Sequence, residues 1–175
     1  MFDARKENPS TIPWLTYDAI NYLNSLITKD MDIFEYGCGN STIFYAQRCK
    51  SVVAVEHHLK WSDLLKEKSK NLPCEIIYME IPKNKKDRKA KHKEAYSAVI
   101  NNYGSFDMII VDGLFRNDCI AKALYKIKPG GHIIVDNSDR NYSGQTLLDK
   151  YEKLEFFGAG PHNNYKWKTT IWRIK

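Results

Sequence analysis

Five short runs in this chain are apolar almost throughout rather than alternating: DIFEY at 32–36, SVVAVE at 51–56, CEIIYME at 74–80, FDMIIVDG at 106–113 and HIIVDN at 132–137. A strand written this way has no wet face, so it belongs inside a parallel sheet covered on both sides. Segments of helical character stand between these runs. TYDAINYLNSLI at 16–27 spaces its apolar residues for a helix, with Thr16 or Ser10 as the cap, and STIFYAQRC at 41–49 opens on two good helix starters. LKWSDLLKEKSKNL at 59–72 is amphipathic, and the basic stretch reads as helical over 85–101. NDCIAKALYKI at 117–127 is a helix that stops at KPGG, where Pro129 cannot continue it, and GQTLLDKYEKL at 144–154 also reads as a helix. The last two strands, EFFGAG at 155–160 and YKWKTTIWRIK at 165–175, are joined by the turn-rich GPHNN without a helix, which predicts an antiparallel hairpin at the sheet edge. The expected fold is a single α/β, doubly wound domain over 1–175. It has a mostly parallel seven-stranded sheet, a helical cap at 1–30 and a basic, lid-like insertion at 81–103. Its ligand crevice is expected at the carboxyl ends of the strands.

Composition narrows the classes. Hydrophobic residues are 43% and aromatics 13%, enough for a core and too apolar for a disordered chain. No uninterrupted apolar window approaches the ~18 residues of a membrane span. The opening MFDARKENPSTIPW lacks the apolar centre of a signal peptide, so the expectation is a cytoplasmic protein without a membrane partner. Cys38, Cys49, Cys74 and Cys119 form no CxxC pair, which predicts reduced thiols rather than a zinc site or disulfides. The net charge of +6 is concentrated in 81–103, and the remainder is close to neutral. That argues for a local basic feature rather than a nucleic-acid-binding surface. The segment reads either as a solvated helix face or as a lid that recognises an acidic or phosphorylated substrate.

The turn after the first strand carries the chemistry. In DIFEYGCGNST, Gly37 and Gly39 sit where strand passes into helix, and the missing Cβ atoms let backbone approach a ligand closely. The helix opening at Ser41 offers free N–H groups. Glu56 closes the second strand about twenty residues on, where an acid accepts hydrogen bonds from vicinal ribose hydroxyls. These features together imply an adenosine-type ligand. A dinucleotide site would place a third glycine at 42, where this chain has Thr42, and Glu35 ahead of the turn repels a pyrophosphate but suits a cation.

The pattern Glu35-x-Gly37-x-Gly39-x-Ser41 resembles the first motif of class I S-adenosylmethionine-dependent methyltransferases, with Ser41 in place of a third glycine. VVAVEHH looks like the second-strand acid of that family, FDMIIVDG like its fourth-strand motif and LYKIKPGGHIIVDN like its fifth. The resemblance spans 30–137 in the right order, and the hairpin at 154–174 fits the antiparallel final strand of the same Rossmann-like fold. PWLTY, FEYGCGNST, VEHHLKW, VDGLFR and DNSDR are similar to short bacterial members. The resemblance implies S-adenosylmethionine as cofactor, bound by Glu35, Tyr36, Gly37, Gly39, Asn40, Ser41, Thr42, Glu56, His57 and Asp112. Within that set, the glycines pass under the methionyl part, Glu35 lies near its amino group, Glu56 holds the ribose and His57 flanks the adenine. Asp112 faces the methyl-donor end.

Methyl transfer from a sulfonium is an in-line displacement, and a hydroxyl acceptor must lose its proton. Asp112, Asp136 and Asn137 end the fourth and fifth strands and are the expected catalytic residues, with Asp139, Arg140 and Arg116 as neighbouring candidates. The trio also resembles the metal triad of cation-dependent catechol-type O-methyltransferases, whose hard oxygen donors suit Mg²⁺. Asp-Asn is equally a common turn pair, so a metal-free role at the substrate is the expectation and Mg²⁺ the lesser alternative. Trp14, Tyr17 and Trp61 read as packing residues before ligand contacts, and of His57 and His58 at most one faces the crevice. No Asn-Pro-Pro-Tyr or Asp-Pro-Pro-Tyr follows the fourth strand and there is no Pro-Cys nucleophile, both of which disfavour a nucleic-acid methylase. The expected function is methylation, at oxygen, of a small and possibly anionic molecule, with a homodimer as one way to complete the site. A nucleic-acid methyltransferase, a nicotinamide-dependent oxidoreductase and a non-catalytic cofactor-binding subunit are the alternatives.

Overall fold

The computed structural model describes residues 2–175. Met1, counted in the expected N-terminal cap, lies outside the described residues. In chain order the elements are α1 (Tyr17–Leu26), β1 (Asp32–Tyr36), α2 (Asn40–Ala46), β2 (Ser51–Glu56), α3 (Leu59–Lys68), β3 (Cys74–Tyr78) and α4 (Ala90–Ala98). They continue with β4 (Phe106–Val111), α5 (Arg116–Lys126), β5 (Ile127–Val135), β6 (Glu152–Gly158) and β7 (Trp167–Arg173). The strands form one seven-stranded sheet in the order β3-β2-β1-β4-β5-β7-β6, as a doubly wound fold requires. Strands β1 to β5 pair in parallel, and β7 runs antiparallel to both β5 and β6.

Four of the five apolar runs are explained by burial on both faces; the fifth, β3, is an edge strand in which only Ile76 is buried and Glu75 is exposed. Alternate side chains of β1 enter different cores: Phe34 and Tyr36 pack with Tyr96, Cys119 and Ile120 under α4 and α5, while Ile33 packs with Ile20, Leu23 and Phe44 under α1 and α2. The same alternation puts Glu35 on the α2 side, which matters for the site below. No helix among the described residues is long and apolar enough to cross a membrane.

Three expectations are corrected. The segment 144–154 is not an α-helix. A 3-10 turn at Ser143–Leu148 leads directly into β6, which starts at Glu152 and pairs with β7 from Glu152↔Arg173 to Gly158↔Trp167. Only Leu148 of its leucines is buried, so a helix there would gain little, whereas the seven-residue ladder satisfies the backbone on the β7 side. Second, KPGG does not end the helix as a free turn. It lies inside β5 as a bulge, where Gly130 N–H donates to the Ile174 carbonyl at 2.7 Å and the pairing steps from Phe106↔Ile127 to Met108↔His132. Third, the basic helix expected over 85–101 is broken. Asn84 caps a 3-10 turn at Lys85–Asp87, Lys89 is extended, and α4 starts only at Ala90. Clustered lysines disfavour a continuous helix there, and the break frees Lys85 and Arg88 to turn toward the strand ends.

Candidate active site

The strand order reverses between β1 and β4, and a crevice opens at their carboxyl ends. A cavity of about 680 Å³ lies there, walled by the loops after β1, β2, β3, β4 and β5 and by Trp14 from the N-terminal segment. Its narrowest framing is backbone against backbone. Gly37 follows β1 with φ +87°, and a Cβ placed on it would lie 2.9 Å from the Gly113 Cα. A Cβ on Gly113 would in turn lie 2.8 Å from the Gly37 nitrogen. Gly37 thus serves the close packing of two loops. Gly39 is extended, and a Cβ placed on it would meet only Ser41, whose Oγ would lie 3.4 Å away, so its open side faces the cavity.

Glu56 ties the first two loops together. Its Oε2 accepts from the Cys38 N–H at 3.1 Å, and its Oε1 accepts from the N–H groups of His57 at 2.8 Å and His58 at 2.7 Å. Burial opposes ionisation of Glu56, but the His57 ring, whose Nδ1 lies 2.9 Å from Oε1, and the backbone hydrogen bonds from His58 and Cys38 outweigh it and hold the carboxyl below its ordinary value. Oε2 has one protein donor, so it retains a lone pair for a ligand hydroxyl at the cavity wall. His57 lines the cavity with its ring edge-on to Tyr96, while His58 instead caps α3 through the Trp61 N–H. Trp61 also lines the cavity, and its Nε1–H donates to the Cys38 carbonyl at 2.6 Å, which pins the glycine loop.

Glu35 sits on the floor beneath α2, with the Ser41 and Thr42 hydroxyls donating to its two oxygens. Burial dominates and pushes the Glu35 carboxyl up to about 8, against the pull of those hydroxyls. The sign for stability follows. A carboxyl raised in the folded state stabilises fully below its ordinary value of 4.5, and that contribution fades as pH rises through about 8. Glu35→Gln is therefore expected to flatten the decline of the melting temperature between about pH 4.5 and about pH 8. Parallel melting curves for the variant and the wild type would contradict a buried, protonated Glu35.

At the other end Asp112 follows β4, and Arg116 gathers several oxygens. Its Nη2 donates to Asp112 Oδ1 at 2.7 Å and to the Asp112 carbonyl at 2.9 Å; its Nε donates to the Gly113 carbonyl at 3.1 Å; its Nη1 donates to the Asp136 carbonyl. Asn137 Oδ1 lies 3.5 Å from the same Nη1. The guanidinium therefore takes the place a divalent cation would need between these groups, and the donor set does not fit Mg²⁺. The Asp136 carboxylate faces β7, accepting from Trp167 Nε1 at 2.8 Å and Thr169 Oγ1 at 2.6 Å. Burial, with the charge of Asp112, pushes it up to about 7.

Of the expected residues, Glu35, Gly37, Gly39, Asn40, Ser41, Glu56, His57 and Asp112 come together around the cavity. Tyr36 does not line it: its hydroxyl donates to the Ser97 carbonyl in the opposite core. Thr42 is buried beneath the loop between Gly39 N–H and Glu35, and Asp136 and Asn137 shape the β5 loop from outside the cavity. Tyr45 is an addition to the expected set. It is fully buried on α2 and lines the cavity, and its hydroxyl has no hydrogen-bond partner among the described residues. In the sequence it reads only as an apolar helix position. Gly113, Arg88, Arg140, Tyr142 and Trp14 also reach the cavity, from four separate segments.

No protein-family model matches the chain, and no curated protein matches it. Solved structures do. A candidate O-methyltransferase from Klebsiella pneumoniae is 16% identical, with 90% of this chain and 77% of that chain covered and a TM-score of 0.65. A candidate methyltransferase from Streptococcus mutans in complex with S-adenosylhomocysteine is 15% identical, with 88% and 94% covered and a TM-score of 0.61. An rRNA methylase from Streptococcus thermophilus is 15% identical, with 91% and 95% covered and a TM-score of 0.58. The chain is similar to these in fold, the Rossmann-like fold of class I methyltransferases.

Proposed function

We propose, on the premise of that fold, that this chain is an S-adenosylmethionine-dependent methyltransferase acting at an oxygen of a small-molecule acceptor. The observation that carries the reading is Glu56, a buried, ionised acid closing β2 with a free lone pair at the cavity wall. The residues present fit the cofactor on two further counts: the Gly37–Gly113 abutment leaves the crevice open beside it, and Tyr45 presents an orphaned hydroxyl. Bound S-adenosylmethionine would supply an electrophilic methyl group on a sulfonium.

The roles of the chain's own side chains follow. Glu56 accepts the ribose hydroxyls, and His57 and Trp61 wall the adenine side. Glu35, whose carboxyl burial pushes up, ionises more readily beside a cation. Asp112 is the candidate base: Arg116 holds one carboxylate oxygen, and burial raises the carboxyl's proton affinity against the pull of that guanidinium. The loops around Trp14, Arg88 and Tyr142 help exclude water from the crevice. Enclosure by separate loops supports a small acceptor over a polymer.

Calorimetric titration tests the cofactor. S-adenosylhomocysteine is expected to bind one site, NAD is not, and Tyr45→Phe should weaken the former about tenfold, the worth of one buried hydrogen bond, with an unchanged melting curve. Transfer of label from methyl-labelled S-adenosylmethionine into a metabolite extract then separates an enzyme from a binding subunit. NAD binding in place of S-adenosylhomocysteine would overturn the reading.

A further inference from the structure

Of the acids lining the cavity, Glu56 is committed to three backbone donors and the His57 ring, and Asp112 is paired with Arg116. Lys85, Arg88 and Arg140 line the same cavity, and none of the three forms an ion pair with a carboxylate among the described residues. Arg88 is also held in place. Its Nε donates to the Pro82 carbonyl at 2.9 Å and its Nη2 to the Lys83 carbonyl at 3.3 Å, which leaves Nη1 without a protein acceptor. The three cations come from the loop after β3 and the loop after β5, which flank the crevice from opposite sides, so that they line one cavity is a property of the fold. Trp14, half exposed and tilted against His162 at 4.4 Å between centroids, and Tyr142, under the Arg116 guanidinium at 5.3 Å, supply aromatic walls in the same cavity.

We propose that Lys85, Arg88 and Arg140 form a subsite for a phosphoryl group, and that the methyl acceptor is a phosphorylated small molecule whose body rests on Trp14 and Tyr142. Three unpaired cations, two of them guanidinium forks, match a multiply charged tetrahedral oxyanion better than a single carboxylate. Lys85 and Arg140 are exposed at the cavity's rim and Arg88 is part-buried, and cations set around a concavity suit a compact anion better than an extended nucleic-acid backbone. The acceptor role rests on the methyltransferase reading; the anion subsite does not.

The test uses the full chain and pyrophosphate as the probe, titrated calorimetrically at low salt with and without S-adenosylhomocysteine. Wild type is expected to bind one pyrophosphate, the Lys85→Ala/Arg140→Ala double variant at least tenfold more weakly, and Arg88→Ala weaker as well. S-adenosylhomocysteine affinity should stay within about twofold in all three, which also shows that the variants are folded. Phosphatase treatment of the metabolite extract is expected to abolish labelled methyl transfer. Equal pyrophosphate binding by wild type and double variant overturns the subsite, as does a short single-stranded RNA that depends on these residues and is not displaced by pyrophosphate. Transfer that survives phosphatase treatment overturns the acceptor class. If S-adenosylhomocysteine fails to bind at all, the cofactor reading falls, while pyrophosphate binding to the free protein still decides the subsite.

Discussion

Glu56→Ala is expected to weaken S-adenosylhomocysteine binding at least about a hundredfold and to lower stability by about 3–5 kcal/mol, because hydrogen bonds to a charged group contribute roughly 1.5–3 kcal/mol each. The carboxylate accepts from three backbone N–H groups, those of Cys38, His57 and His58. Alanine leaves all three without a partner beside the cavity and unties the glycine loop from the end of β2. In a domain of this size each kcal/mol is worth about 2–4 °C, so the melting temperature should fall by roughly 10 °C. Glu56→Gln separates the two losses. An amide oxygen can still accept from His57 and His58, but the amide nitrogen would face the Cys38 N–H donor to donor. Stability should fall less than in the alanine variant, and ribose binding should still drop about tenfold or more. The pH dependence carries the same sign. A carboxyl held below its ordinary value of 4.5 stabilises above that value and loses the contribution as pH falls through its lowered value. The wild type should therefore lose stability in acid more steeply than Glu56→Gln. Undiminished S-adenosylhomocysteine binding by both variants would remove Glu56 from the site.

Gly37→Ala is the second large effect. The residue has φ +87°, where a side chain is strained, and its Cβ would lie 2.9 Å from the Gly113 Cα, a backbone atom that cannot swing aside. A Cβ on Gly113 would likewise lie 2.8 Å from the Gly37 nitrogen, so neither loop has room for a side chain here. Strain and overpacking together are expected to cost about 3 kcal/mol or more, and relief by separating the β1 and β4 loops would deform the crevice. Gly39→Ala is the control. Its backbone is extended and its first neighbour would be the Ser41 Oγ at 3.4 Å, so thermal unfolding should shift little. Equal destabilisation by the two alanines would show that the loop abutment is not what Gly37 provides.

The four central apolar runs are legible because burial on both faces leaves a local signature: a strand with no wet side carries no alternating polar residues; β3 carries the same look but lies at the sheet edge with Glu75 exposed. The Gly37, Gly39 and Glu56 constellation is legible for a similar reason, since each residue type answers a local backbone or strand-end requirement. The 144–154 segment misleads because its leucine spacing suits a helix, while the decisive partner, β7, lies some twenty residues further on. KPGG misleads because its bulge is fastened by Ile174 at the far end of the chain.

Site residues divide along the same line. A side chain's place on a strand follows from alternation, so Glu35 belongs to the α2 face, but the turn of the Asp136 carboxylate toward Trp167 and Thr169 depends on where β7 docks. Tyr45 looks like any core aromatic until the packing around it leaves its hydroxyl alone at the cavity. Sequence alone determined the parallel core, the order of its motifs and the acid that closes the second strand, because those depend on near neighbours along the chain. Only the tertiary structure decided which oxygens Arg116 collects and that Lys85, Arg88 and Arg140 share one mouth, because charges remote in sequence meet only once the strand ends are brought side by side.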